Sequence, residues 1–236
     1  MESERLKTYV VGLDERMQGG IPPNFIVLIC GRAGTMKSSL GYSILHNHAK
    51  NGRKCVYLTL EQNRKQFLKH VANLGLTGDV IVKDIEDVVV IDLGKVRKEA
   101  LTLERTNIDW LHSILNTIKS YKKTFGCELL VLDSLSALYS LTQFKNPRAE
   151  LFYFFEKLRE FGITTFLISE MPAGTESFGI YNVEDFLADG ILHLNIEKIG
   201  RQVNLYLGVV KMRETKHDRS YYPLIYESGK FEIVTD

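Results

Sequence analysis

Unbroken apolar runs alternate with amphipathic stretches along the first two-thirds of the chain. Phe25–Cys30 is apolar throughout, as a strand covered on both faces must be. Ser38–Lys50 follows with Leu40, Ile44 and Leu45 at helical spacing, and Val56–Leu60 reads as a second strand. Phe67, Leu68, Val71 and Leu74 mark one helix face, closed by Gly75 at a C-cap position. Val80–Val82 and Val88–Ile91 are short strand candidates. Ile108, Leu111, Ile114, Leu115, Ile118 and Tyr121 recur at three and four, which predicts an amphipathic helix, and Leu129–Leu132 predicts another buried strand. Asn146-Pro147 makes a good helix start, because Asn can cap and Pro suits the first turn. That helix runs through Leu151, Phe155 and Leu158 to Gly162, and Thr164–Ile168 is the next strand.

Alternation of this kind implies right-handed βαβ crossovers and a parallel sheet. After Asp189 the pattern changes. Ile191–Ile196, Val203–Val210, Tyr221–Tyr226 and Phe231–Val234 are strand-like runs joined by short turns such as Ile199-Gly200-Arg201 and Ser228-Gly229. They predict an antiparallel tail on one edge of the sheet. The expected fold class is α/β, a mostly parallel central sheet flanked by helices, with an antiparallel C-terminal strand extension. No repeat, low-complexity tract or Pro/Ser-rich linker interrupts the chain, so residues 1–236 are expected to form a single domain.

Composition narrows the function classes. A hydrophobic fraction of 44% suits a globular protein with a sizeable core. The formal net charge of +1 supplies no whole-molecule field toward nucleic acid or an anionic membrane. Cys30, Cys55 and Cys127 are far apart and suit reduced, buried thiols, which points to a cytoplasmic location. The first residues carry Glu2, Glu4, Arg5 and Lys7 without the apolar stretch of a secretory signal. Phe25–Cys30 is far too short to span a bilayer.

The first strand runs into Gly31-Arg32-Ala33-Gly34-Thr35-Met36-Lys37-Ser38-Ser39 and then a helix. A phosphate-binding P-loop reads G-x-x-x-x-G-K-[ST] in that setting. Glycines let backbone N–H groups turn toward a triphosphate, and the helix N-terminus adds partial positive charge. Gly31, Ala33, Gly34, Thr35, Met36, Lys37, Ser38 and Ser39 are therefore candidate ATP-binding residues. Lys37 would reach the β- and γ-phosphates, and the Ser38 hydroxyl would ligate Mg²⁺. Met36 departs from the pattern. If its position needs positive φ, a side chain there costs about 1–3 kcal/mol.

Two acids accompany the loop. Asp133 ends an apolar strand in Val131-Leu132-Asp133-Ser134, where it would hold Mg²⁺ through water; the alternative is a turn-forming Asp. Glu61 follows Val56–Leu60 and would orient or deprotonate the attacking water; the alternative is a carboxylate favoured by a helix N-terminus.

With these elements in order, the chain resembles the KaiC branch of the RecA superfamily of P-loop ATPases. Gly12-Leu13-Asp14-Glu15 through Gly19-Gly20-Ile21-Pro22 is similar to the family's GLDE…GGIP lead-in. Leu58-Thr59-Leu60-Glu61-Gln62 is similar to its SLEE, Leu132-Asp133-Ser134-Leu135 to its Walker B IDSL, and Ile168-Ser169-Glu170 to its TSE. Lys211-Met212-Arg213-Glu214-Thr215-Lys216-His217, followed by Tyr222-Pro223, is similar to K-[LM]-R-G-T-x-H…YP. The resemblance implies a RecA-like core and a homo-oligomeric ring, hexameric as one option, with ATP between subunits. It further implies that Lys211 and Arg213 act in trans on a neighbour's triphosphate, with His217 nearby. A rigid guanidinium suits charge developing on the γ-phosphoryl, and such a finger is worth roughly 10³–10⁵ in rate. By charge alone, 211–216 reads as a solvated hairpin turn. Gln62 replaces the second acid of the family's EE pair. The family's clock members carry two such units and autophosphorylate a Ser-Thr pair before the last core strand. Asp185 and Phe186 align there, with Thr175, Ser177 and Tyr181 out of register, so no autokinase activity is expected.

Arg64, Lys65, Lys69 and His70 are expected on a solvated helix face, like Lys95–Lys98 and Lys119–Lys123. His46 and His48 lack paired metal spacing. Phe152–Phe155 are expected to pack a helix on the sheet, with one or two at a subunit contact. Pro172–Glu184 reads as a mobile loop near the ring centre or nucleotide. The leading function is an ATPase coupling nucleotide state to ring assembly or binding of a protein partner. The alternatives are a nucleotide-binding regulator or scaffold that hydrolyses little, with Met36 as its mark, and a RadA-like DNA-recombination accessory. The last needs a DNA-binding feature that the sequence does not display, so nucleic acid is not the expected partner.

Overall fold

The computed structural model describes residues 4–76, 88–94 and 109–235, apart from 173 and 176. Val80–Val82, Ile108 and Lys95–Lys98 lie outside the described residues. A short 3₁₀ turn, Asp14–Met17, precedes strand β1 (Ile26–Gly31) and helix α1 (Lys37–Lys50). Next come β2 (Cys55–Thr59), α2 (Arg64–Asn73), β3 (Val88–Asp92), α3 (Trp110–Thr124), β4 (Leu129–Asp133), α4 (Leu135–Leu141), α5 (Pro147–Glu160) and β5 (Thr164–Glu170). The chain ends with α6 (Glu184–Leu187), β6 (Gly190–Ile199), β7 (Gln202–Met212), β8 (Tyr221–Glu227) and β9 (Lys230–Ile233).

These strands form one nine-stranded sheet in the order β3-β2-β4-β5-β1-β6-β7-β8-β9. β3 through β6 in that order are parallel, and β7, β8 and β9 continue antiparallel. The antiparallel extension therefore begins one strand later than the hydrophobic pattern predicts. Parallel strands require a crossover rather than a tight hairpin. Residues 171–189, carrying α6, return the chain so that β6 pairs with β1 in the parallel sense. The short helix α4, just after Asp133, has no counterpart in the predicted elements.

Alternation along each strand divides the core between the two faces. Val27 and Ile29 of β1, Tyr57 of β2, Val131 of β4 and Phe166 of β5 pack with α1, α2 and the N-terminal lead-in. Leu28, Leu58, Leu132 and Leu167 face the other way, against α3, α4 and α5. The parallel strands are apolar on both faces because helices cover both. On α5, Phe154 and Phe155 are fully buried, whereas Phe152 and Tyr153 remain about half exposed at 55% and 49%.

Among the described residues, no helix is long and apolar enough to cross a membrane. All three cysteines are buried.

The start of α5 follows the chemistry read from its sequence. The Asn146 side chain accepts from Ala149 N at 3.2 Å, and Pro147 occupies the first turn. Glu150 closes the cap by accepting from the backbone N–H groups of Lys145 and Asn146 at 2.9 and 2.8 Å. Asn146→Ala should lower stability by about 1 kcal/mol, measured as a shift in the urea midpoint at unchanged slope.

Candidate functional site

The carboxyl ends of β1, β2, β4 and β5 open onto one cleft of about 490 Å³. In parallel α/β sheets, ligands bind at this end, where strand order reverses. Here the chain leaves β1 toward β2 on one side and later returns to β6 on the other. Ala33, Gly34, Thr35, Met36, Lys37, Ser38, Ser39, Glu61 and Asp133 all line the cleft. Sequence reasoning gathered these residues from three distant segments, and the fold brings them together.

Gly31 lies at the loop's root rather than in its lining. A Cβ there would sit 2.3 Å from the Leu194 carbonyl oxygen and 2.7 Å from Thr35 Oγ1, so no side chain fits. The loop then curls around the Arg32 carbonyl, which accepts from Thr35 Oγ1 and from Lys37 Nζ, both at 2.8 Å. Gly34 has φ +83°, and Met36 has φ +62° and ψ +24°. The left-handed conformation anticipated for the consensus glycine is thus adopted by a side-chain-bearing residue. Met36 is half-buried and packs against the apolar cluster beneath α1, which offsets part of that strain. Its carbonyl accepts from Leu40 N at 2.9 Å, starting the helix.

Thr59 and Asp133 are register partners at the ends of β2 and β4. The Leu60 N–H donates to the Asp133 carbonyl at 2.7 Å, and Thr59 Oγ1 accepts from Glu61 N and Gln62 N at 3.3 and 3.2 Å. That turn presents Glu61 to the cleft. Ser134 Oγ donates to Glu61 Oε1 and accepts from Ala137 N, capping α4.

Several lining residues were not singled out as site residues by sequence reasoning: His70, Leu74 and Ile168, with Glu170 named only within a motif. Glu170 is the register partner of Gly31, so the neighbouring strand carries it to the loop. His70 is exposed on α2, as expected of a solvated helix face, and its Nε2 also lies 3.4 Å from Ser39 Oγ at the cleft's edge. Helix periodicity shows which side of α2 is polar; it cannot show that α1 lies beside it.

Asp133 is 2% exposed and Lys37 is 7% exposed. Burial pushes the Asp133 carboxyl up to about 6, and nearby Glu61 adds to this; hydrogen bonds from Tyr57 and Ser38 and the charge of Lys37 oppose it. Burial lowers the Lys37 ammonium, against the attraction of Glu170, Asp133 and Glu61. Tyr57 donates to Asp133 Oδ2 at 2.6 Å, whereas Asp133 Oδ1 is buried without a hydrogen-bond partner.

Lys211, Arg213 and His217 lie elsewhere. Met212 pairs with Gly190, and Gly190 pairs with Val27 near the start of β1. Lys211 and Arg213 therefore stand at the amino end of the parallel strands, opposite the loop. Lys211 Nζ donates to the carbonyls of Asp185 and Ala188, both at 2.7 Å. Arg213 donates to Asp189 Oδ1 at 2.8 Å and to the Phe186 carbonyl at 3.0 Å. His217 is half-buried, its Nδ1 being 3.1 Å from the Asp218 carbonyl. At the end of the Pro172–Glu184 segment, buried Glu184 accepts from the N–H groups of Ile180, Tyr181 and Val183 at 3.0, 3.1 and 3.0 Å.

The family model described as "ATPase: KaiC" matches residues 6–236. The chain belongs to the KaiC ATPase family. Its similarity extends to a UPF0273 protein of Pyrobaculum aerophilum, 29% identical over 100% of this chain and 84% of that one. A UPF0273 protein of Thermotoga maritima is 29% identical over 93% of this chain and 91% of its own length. A circadian clock protein of Synechocystis, KaiC2, is 26% identical over 96% of this chain, which corresponds to 39% of that protein. A solved KaiC-like protein of Pyrococcus horikoshii shares the fold, with a TM-score of 0.82 at 24% identity, covering 98% of this chain and 99% of that one. The chain is a nucleotide-binding P-loop ATPase of the RecA/KaiC type.

This KaiC-family cleft fits a nucleotide with Mg²⁺. Lys37 is its buried cation, facing the three carboxylates of Glu61, Asp133 and Glu170, so a polyanionic phosphate would need added positive charge. The unpartnered Asp133 Oδ1 offers an acceptor to a metal-bound water. Among the described residues, no group of three or more His, Cys, Asp or Glu could hold a metal alone, so phosphate oxygens would complete its ligands. A second, more apolar groove of about 600 Å³ between Asn146, Phe152 and Phe186 presents Arg148 but no acid, and does not share the cleft's chemistry.

The Asp133 carboxyl is raised from an ordinary value of 3.8 to about 6. Its protonated form therefore favours the fold below about pH 4, and that contribution is lost as pH rises through about 6. Asp133→Asn should stabilise the nucleotide-free protein by about 3 kcal/mol at pH 8, the gain fading by pH 4. Thermal unfolding across that pH range checks it.

Proposed function

We propose that the chain binds ATP with Mg²⁺ in this cleft and hydrolyses it to ADP and phosphate. The observation that carries the reading is the placement of buried Lys37, on the phosphate-binding loop, and the unpartnered Asp133 Oδ1, at the end of β4, in one cleft. Backbone N–H groups of residues 31–38, the Walker A segment, would cradle the phosphates. Lys37 would release the Arg32 carbonyl and pair with the β- and γ-phosphates. Ser38 would ligate the metal directly, and Asp133, at the end of the Walker B strand, would do so through water. When bound, Mg²⁺ neutralises phosphate charge and polarises the bond to be broken. Glu61, held through one oxygen by Ser134, has its other oxygen free to orient or deprotonate the attacking water.

Lys211 and Arg213 are assigned to a neighbour's nucleotide in a homo-oligomeric ring, for which a hexamer is one option. The support is geometric. The four residue steps from Val27 to Gly31 span roughly 13 Å along β1, so these groups cannot serve their own loop. Reaching across an interface would exchange the Asp189 and Phe186 contacts for phosphate oxygens. His217 would stand beside them. A protein partner, a single domain spanning 1–236 and a cytoplasmic location complete the reading, the last resting on the burial of all three cysteines.

A second reading, a nucleotide-binding regulator or scaffold with little turnover, draws on Met36 in the left-handed conformation within the cleft wall. The two readings separate by experiment. Lys37→Ala should abolish ATP binding in calorimetry. Glu61→Gln should retain binding while γ-phosphate release falls roughly 10²–10⁴-fold. Binding by the wild type without any phosphate release favours the regulator, and unchanged turnover in Lys37→Ala removes the loop from hydrolysis.

Mixing Arg213→Ala with Lys37→Ala protomers tests the interface. Some mixed contacts join an intact loop to an intact finger, so activity should recover above that of either variant alone. No recovery, with mixing verified by native mass spectrometry, would refute the intersubunit assignment.

A further inference from the structure

We propose that Tyr57 is a positioning residue for the metal side of the cleft: its phenol engages Asp133 Oδ2 and so leaves Oδ1 as the oxygen available to the metal's water. This rests on the nucleotide reading above. Tyr57 is fully buried in the middle of β2, where its neighbours Val56 and Leu58 are plain hydrocarbons. A buried hydroxyl is unfavourable unless it finds a partner, and packing alone would be served by phenylalanine. The hydroxyl here donates to Asp133 Oδ2 at 2.6 Å, a short, charge-assisted geometry. The Ser38 hydroxyl stands beside both groups, so the phenol borders the atoms assigned to the metal.

Asp133 otherwise has little to hold it. Its carbonyl is taken by Leu60 N, its Oδ1 is buried and unpartnered, and besides the phenol only the neighbouring Ser38 hydroxyl favours the carboxylate. Without the phenol, Oδ2 would be orphaned as well, and the side chain could turn about its χ angles to relieve that cost. The phenol is itself immobilised. The Tyr57 ring stacks on Phe67 of α2, with centroids 4.3 Å apart at 25°, and meets Tyr42 of α1 edge-on at 6.0 Å and 64°. The ring thus packs against both helices through separate contacts, so that losing one stacking partner leaves the hydroxyl on Asp133, and the hydroxyl sets the carboxylate.

Tyr57→Phe retains the ring stack and removes only the oxygen. Two titrations read its effect: Mn²⁺ binding to the ATP complex by electron paramagnetic resonance, and ATP binding by calorimetry in EDTA and in Mg²⁺. Tyr57→Phe should bind ATP in EDTA as the wild type does, while Mn²⁺ affinity of the complex falls roughly tenfold. Phe67→Leu disturbs the stack but keeps the hydroxyl, and should bind Mn²⁺ within about twofold of wild type. Wild-type Mn²⁺ affinity in Tyr57→Phe, or an equal loss in Phe67→Leu, would overturn the proposal in favour of plain packing. A wild type whose ATP affinity gains nothing from metal would instead overturn the cleft reading, and this inference with it; that result is distinguishable because it needs no substitution.

Discussion

Asp133 and Lys37 are both withdrawn from water in one cleft, yet neither satisfies the other directly: the carboxylate takes the Tyr57 phenol, and the ammonium takes the Arg32 carbonyl. Burying unpaired charge is among the costliest arrangements a fold can adopt. The surrounding structure makes it tolerable. Six parallel strands, apolar on both faces and covered by helices, hold four carboxyl ends in register. The desolvation that raises Asp133 and lowers Lys37 strengthens whatever electrostatic contact a phosphate and its metal would make there. Instability without ligand and affinity for ligand therefore have one physical origin.

The polarity of the same sheet separates two groups of charged residues. Loop, acids and cleft lie at the carboxyl end of the parallel strands. Lys211 and Arg213 lie at the amino end, anchored on Asp189 and the carbonyls around α6. Asp189 also accepts from Ile26 N and from Arg159, so one carboxylate ties β1, α5 and the end of β7 together. The turn that follows is braced by the N-terminal lead-in. Arg5 donates to Thr215 Oγ1 and to the carbonyls of Gly20 and Glu214, and Lys216 N donates to Gln18 Oε1. Two motifs at opposite ends of the sequence are thereby parts of one surface. Within a single chain, those cations have no access to the phosphate loop. That is a reason to look for their partner in a neighbour.

Much of this was legible from residue order. Apolar runs located all nine strands among the described residues, Asn146-Pro147 marked the start of α5, and the loop motif placed Lys37 and Ser38 on a strand-to-helix turn. Asp133 and Glu61 were recognisable because each ends or follows a buried strand. What resisted reading was lateral. His70 is exposed as its helix face predicts, and Tyr57 falls within a strand-like run, but nothing along the chain says that α2 lies against α1 or that β2 lies beside β4.

Local chemistry therefore determined the elements, the α/β class and the identity of the phosphate loop, because helix caps, strand burial and the glycine pattern depend on near neighbours. The tertiary structure alone decided three further matters. β6 joins β1 in parallel before the antiparallel extension begins; Met36 adopts the left-handed conformation beside a core that accommodates its side chain; and Asp133 Oδ1 is left buried and unpaired in the cleft. Each depends on contacts between residues remote in sequence, where packing and desolvation, rather than local propensity, set the outcome.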